Sequence, residues 1–121
     1  MSVVEERDII GVVASVKLKG QKGEKIVKAK IDTGADRTSI DMKIASEIGL
    51  GPIMDTVKVK SATAENSETR LVVEADIIIH EKKFTVNACL DDRSKMKYNV
   101  LIGKDLLEKS NFLIDPNKVA D

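Results

Sequence analysis

The sequence predicts a mostly β domain, a small closed or partly closed β-barrel with one or two short helices. Three observations lead there. Short runs rich in β-branched residues follow one another, with turn residues between them. In Val27-Lys28-Ala29-Lys30-Ile31 apolar and charged residues alternate, the period of a strand with one buried face. Helical character is confined to two short stretches, 42–48 and 104–109. A chain of 121 residues suits one domain, 1–121, with a modest core.

The elements follow in order. Residues 9–18 form the first strand, Gly20-Gln21-Lys22-Gly23 a turn, and 26–31 the return strand. The loop Asp32-Thr33-Gly34-Ala35-Asp36 comes next. Asp41 stands where a side-chain cap would open a helix over 42–48; Ile44 and Ile48 lie one turn apart, and Gly49 with Pro52 ends it. Residues 54–60 and 69–79 read as the arms of a long hairpin, 54–79. Its tip, Ser61, Ala62, Thr63, Ala64, Glu65, Asn66, Ser67 and Glu68, is polar. Val72, Val73, Ile77, Ile78 and Ile79 are expected in the core. A strand over 84–90, a charged loop over 91–97, a buried strand over 99–102, a helix over 104–109 and a last strand over 112–114 complete the chain.

Composition narrows the function. Lys+Arg and Asp+Glu both number 20, so the net charge gives no argument for a nucleic-acid partner. No apolar run approaches the roughly 20 residues of a membrane span, and the start, with Glu5, Glu6 and Arg7, lacks the apolar core of a secretory signal. The single cysteine, Cys89, cannot close an internal disulfide, so a cytoplasmic setting is expected. Cys89 sits among Val86, Ala88 and Leu90 and reads as a core residue; His80, followed by Glu81, reads as a surface turn residue. One His and one Cys in different segments make no zinc set, and Gly20–Gly23 lacks the strand-loop-helix setting of a phosphate loop. No metal and no cofactor are expected.

Asp-Thr-Gly alone is a common tripeptide that often makes only an Asx-type turn. Here an apolar strand ends in Ile31 before it, and Ala35, Asp36 and Thr38 follow. Much later comes Leu101-Ile102-Gly103, then Lys104-Asp105-Leu106-Leu107. The combination resembles the retropepsin-like aspartic proteases, which read Asp-Thr-Gly-Ala-Asp-x-Thr and close on an apolar-Gly turn, a basic residue, a polar residue and Leu-Leu. The resemblance implies Asp32 as the catalytic residue, supported by Thr33, Gly34 and Ala35. It places Asp36, Arg37 and Lys104 at the substrate edge, with Asp36 paired to Lys104 and Thr38 bonded near Asp105. Ile102 and Gly103 become a structural turn, and Ser61, Ala62, Thr63, Ala64, Glu65 and Asn66 the flap. Such enzymes bring two of these loops together, and this chain has one. The resemblance therefore implies a C2 homodimer with interlaced terminal strands, including 112–114.

Those residue types suit hydrolysis of a peptide bond. Two carboxylates about 3 Å apart cannot both ionise comfortably, so they share a proton. The ionised one takes a proton from water while the protonated one donates to the carbonyl oxygen. Gly34 permits a tight turn and close backbone approach. Thr33 can reach the partner loop, and Ala35 leaves room for a substrate backbone.

Residues 90–103, with Asp92-Arg93, Met96, Tyr98 and Val100-Leu101-Ile102-Gly103, resemble one branch of that superfamily more narrowly. It carries the label "ATP-dependent zinc protease" and accompanies ATP-grasp glutamate ligases. Phe112-Leu113-Ile114-Asp115-Pro116 and Lys28–Ala35 fit it too. The branch has His where this chain has Asp41, and Pro and Arg where it has Asn99 and Lys104. The flap stretch contains no glycine. The expected partner is a peptide or protein substrate. Lys58, Lys60 and Arg70 on the hairpin arms suggest an acidic one, and the six lysines between Lys17 and Lys30 read mainly as a solvated face. The alternatives to a peptidase are a catalytically weak peptide- or protein-binding module and an accessory of a glutamate-ligase system.

Overall fold

The computed structural model describes residues 6–60 and 67–119. The chain runs β1 (Ile9–Lys19), β2 (Glu24–Ile31), β3 (Ser39–Asp41), α1 (Met42–Ile48), β4 (Ile53–Lys60), β5 (Ser67–Ile79), β6 (Lys82–Asp91), β7 (Val100–Ile102), α2 (Lys104–Leu107) and β8 (Leu113–Val119). The strands form one sheet in the order β4-β5-β6-β3-β7-β2-β1-β8. A further pairing of β1 with β5, Leu18 opposite Ile77, closes β5, β6, β3, β7, β2 and β1 into a barrel. Closure leaves β4 and β8 as the outer strands.

Alternation fills the barrel. Ile10, Ala14, Val16 and Leu18 of β1 point inward with Ala29 and Ile31 of β2 and Ala75, Ile77 and Ile79 of β5. Each large aliphatic side chain buried this way is worth roughly 1.5–3 kcal/mol. The same alternation corrects one expectation. With Ile77 and Ile79 inside, Ile78 must face out, and it lies opposite Lys17 on β1 and Lys83 on β6, only partly buried.

The hairpin of β1 and β2 turns through a Gly20 N–H to Gly23 carbonyl bond of 2.8 Å, and Lys22 donates to the Ile48 carbonyl at 2.9 Å. α1 ends as expected at Gly49, whose φ of 69° is left-handed. Other features differ from the sequence reading. β3, three residues long, is too short to show a period in the sequence. α2 stops at Leu107 rather than at 109. Asp41 occupies the N-cap position of α1 but makes no side-chain cap bond; its Oδ1 accepts from the Arg93 amide at 2.9 Å instead. Arg93, expected on a charged loop, is buried.

Candidate active site

β2 delivers Asp32 at its end, and the Asp32 amide donates to the Ile102 carbonyl at 2.9 Å, which ties the loop to β7. The loop then folds on itself. Gly34 N–H donates to Asp32 Oδ1 at 2.9 Å, and Ala35 N–H to the Asp32 carbonyl at 3.2 Å. A Cβ on Gly34 would stand 3.2 Å from that carboxylate oxygen. Asp32 is half-buried, and Thr33, Gly34, Asp36 and Arg37 are exposed.

The turn from β7 into α2 clamps the loop from below. Lys104 N–H donates to the Ala35 carbonyl at 2.8 Å, and Asp105 N–H to the Asp36 carbonyl at 3.3 Å. Thr38, fully buried, is the bolt between them. Its hydroxyl donates to Asp105 Oδ1 at 2.7 Å, its amide donates to Oδ2 at 3.0 Å, and its oxygen accepts from Gly103 N–H at 3.2 Å. Gly103 has no room for a side chain, since a Cβ would meet the Arg37 carbonyl carbon at 2.7 Å. At the surface Lys104 Nζ lies 2.9 Å from Asp36 Oδ1. The hydrogen bond to Asp36, and then that carboxylate's charge, holds the Lys104 ammonium above its ordinary value. The pairings implied for Asp36 with Lys104 and for Thr38 with Asp105 are thus both present.

Other expected residues fall elsewhere. Arg37 points along the surface, with Nη1 4.0 Å from the sulfur of buried Cys89. His80 does sit in a turn, between β5 and β6, but its ring meets Phe112 edge-on at 5.8 Å and its Nδ1 lies 3.9 Å from Asp8. The flap residues Ser61, Ala62, Thr63, Ala64, Glu65 and Asn66, and the Lys60 side chain, lie outside the described part. Lys58 is exposed on β4. Arg70 is not a free positive charge: Glu68 lies 3.4 Å and Asp91 3.5 Å from its guanidinium. Among the described residues no three His, Cys, Asp or Glu side chains converge as metal ligands would.

A cavity of about 430 Å³ lies beside the loop. Ile31, which immediately precedes Asp32, lines it with Leu101, Met96, Tyr98 and two lysines, Lys30 and Lys97. Val13, Lys30 and Leu101 form one cross-strand row on β1, β2 and β7. Val12 of β1 and the segment after β6 contribute the rest, which is why the sequence did not reveal the cavity: its parts are far apart along the chain.

A barrel of this topology, with one Asp-Thr-Gly loop held by a Gly-Lys-Asp-Leu-Leu turn, defines a retropepsin-like domain. The chain belongs to the RimB-like family, described as retropepsin-like aspartic endopeptidase RimB, whose profile matches residues 43–120. Asp32 precedes the matched span. Two solved structures share the fold. A Legionella pneumophila protein of unknown function, Lpg0085 (DUF785), is 19% identical, covering 95% of this chain and 98% of its own, with a TM-score of 0.65. EIAV protease, complexed with the inhibitor HBY-793, is 13% identical over 90% of this chain and 92% of its own, with a TM-score of 0.61. No curated protein matches the sequence. Among the described residues no helix is long and apolar enough to cross a membrane.

Proposed function

We propose that the chain is an aspartic peptidase that works as a C2 homodimer, with Asp32 of each copy forming a shared dyad. The observation that carries this reading is the Asp32 loop itself. Its carboxylate is half-buried and oriented by the Gly34 amide, on a loop braced at both ends by β7 and α2. One such loop supplies half of a dyad, and two-fold symmetry brings identical loops to one axis. The two carboxylates then titrate as a pair sharing a proton. One takes a proton from the attacking water and the other donates to the peptide carbonyl oxygen, so the rate falls when both ionise. β8 pairs with β1 of its own chain on one side and ends the sheet on the other, which leaves an edge for the interlaced strand of a second copy.

The substrate of this reading is an extended peptide, with acidic side chains preferred. Arg70 contributes less to that preference than the sequence suggested, because Glu68 and Asp91 already neutralise it. The lysines beside the Asp32 loop, Lys30 and Lys97, take its place. The single cysteine fits a reducing, cytoplasmic setting. An association with an ATP-grasp glutamate ligase rests on the resemblance of residues 90–103 alone. A second reading, a peptide-binding module that does not cleave, is favoured by the glycine-free tip at 61–66. A mixed peptide library, incubated at about pH 4–7 with wild type and Asp32→Asn in parallel and read by mass spectrometry, separates the two. Cleavage lost in Asp32→Asn, indifferent to chelators, supports the peptidase. Binding without cleavage supports the module.

A further inference from the structure

Arg93 is the unusual cation of this molecule. It is 7% exposed, one of three buried polar or charged residues among those described, with Thr38 and Asp41. The other two have their polar atoms engaged inside the fold. Arg93 donates its backbone amide to Asp41 Oδ1 at 2.9 Å and its Nε to the Tyr98 carbonyl at 3.1 Å. Among the described residues no carboxylate pairs with its guanidinium, and its two terminal amino groups meet no acceptor. Those amino groups are not among the buried unpaired side-chain atoms, so the fork opens to water while the rest of the residue is buried.

Arg93 lines the cavity beside the Asp32 loop. Lys30 and Lys97 line the same cavity, and no acidic residue does. The remaining lining, Met96, Tyr98 and Leu101 among it, suits the methylenes of a ligand rather than its charge. The volume, about 430 Å³, suits a ligand group of a few heavy atoms upward. The Nε bond to Tyr98 fixes the plane of the fork and leaves the terminal amino groups to supply two parallel N–H donors. That is the geometry in which guanidinium binds carboxylate bidentately, and for which lysine is a poor substitute.

We propose that Arg93 is a carboxylate receptor: it takes one carboxylate of a peptide lying along the Asp32 loop, with Lys30 and Lys97 as the supporting charges. The carboxylate belongs either to an acidic side chain or to the peptide's own C-terminus. The proposal rests on the peptide-cleft reading of the Asp32 loop but not on catalysis.

The test is therefore a binding measurement on full-length Asp32→Asn protein, with fluorescein-labelled peptides that differ only in Glu against Gln and in free against amidated C-terminus. Expected is an advantage of at least about tenfold in Kd for one carboxylate-bearing form. Glu against Gln identifies the side-chain source, and free against amidated the terminal one. Arg93→Gln should abolish the advantage and Arg93→Lys should retain only part of it. Equal affinity across all four peptides overturns the proposal. So does dissociation of a dimer by Arg93→Gln, since the counter-charge would then belong to the second copy. If the Arg93 variants do not fold, the side-chain 15N signals of the Asp32→Asn protein decide. Titration with the Glu peptide should shift one guanidinium and slow its rotation, whereas no shifted guanidinium counts against the site. Carboxylate-selective binding with no cleavage by wild type would leave Arg93 in its role and remove the peptidase reading.

Discussion

At the scale of single residues, Thr38 holds the site together more than any exposed member of the loop. One hydroxyl joins the Asp105 carboxylate to the Gly103 amide, in a place that water does not reach. Thr38→Val keeps the shape and removes both bonds, leaving a charged acceptor and an amide short of partners. The expected loss is about 2–3 kcal/mol in urea unfolding, well above that of a surface substitution. Lys104 makes the opposite kind of contact, an exposed ion pair whose value depends on pH. Its folded pKa is raised above 10.5 by Asp36. The stabilisation is therefore complete below the unfolded value and fades as pH climbs through the folded one. Lys104→Met should melt below wild type at neutral pH, and the two curves should converge in strong alkali; a constant gap would mean that the pair contributes nothing. The residues of this loop were legible in the sequence because their chemistry is local and contiguous, Asp32 through Thr38. Asp41 and Arg93 were not. Each was read from its neighbours, as a helix cap and as a charged loop residue, while their actual contact spans 52 positions.

Among the elements, long alternating strands were recovered and short ones were not. β2 declared itself by its period, whereas β3, only three residues long, shows none and is a strand because β6 and β7 flank it. Ile78 shows the same limit from the other side. Three successive isoleucines look uniformly apolar, and only pairing decides which face each one takes. β8 is the element most exposed to a single change. It runs parallel to the start of β1, and a Cβ on Gly11 would stand 2.0 Å from the Lys118 carbonyl oxygen. Gly11→Ala should force the strands apart and destabilise the fold by about 2–4 kcal/mol. Amide exchange should locate the loosening at Leu113 and Ile114 and spare the β5–β6 ladder. Uniform loss of protection would mean that β8 is integral to the whole barrel rather than laid against it.

For the whole molecule, barrel closure and the half-site lead in one direction. The β5–β1 pairing closes six strands, so two outer strands and the Asp32 face remain for association. A dimer should be seen by sedimentation at micromolar protein, and it should be weakened by changes at β8 more than by changes on the solvated lysine face of β2. The claim that Asp32 acts as one half of a shared dyad is tested most directly by mixing. Wild type and Asp32→Asn are co-refolded in varying ratio and assayed on a peptide that wild type cleaves. If each site needs an aspartate from both copies, only wild-type homodimers turn over, and activity falls as the square of the wild-type fraction, to about a quarter in an equal mixture. Activity that falls in simple proportion, to about half in that mixture, would mean that each chain carries a complete site and would contradict the account.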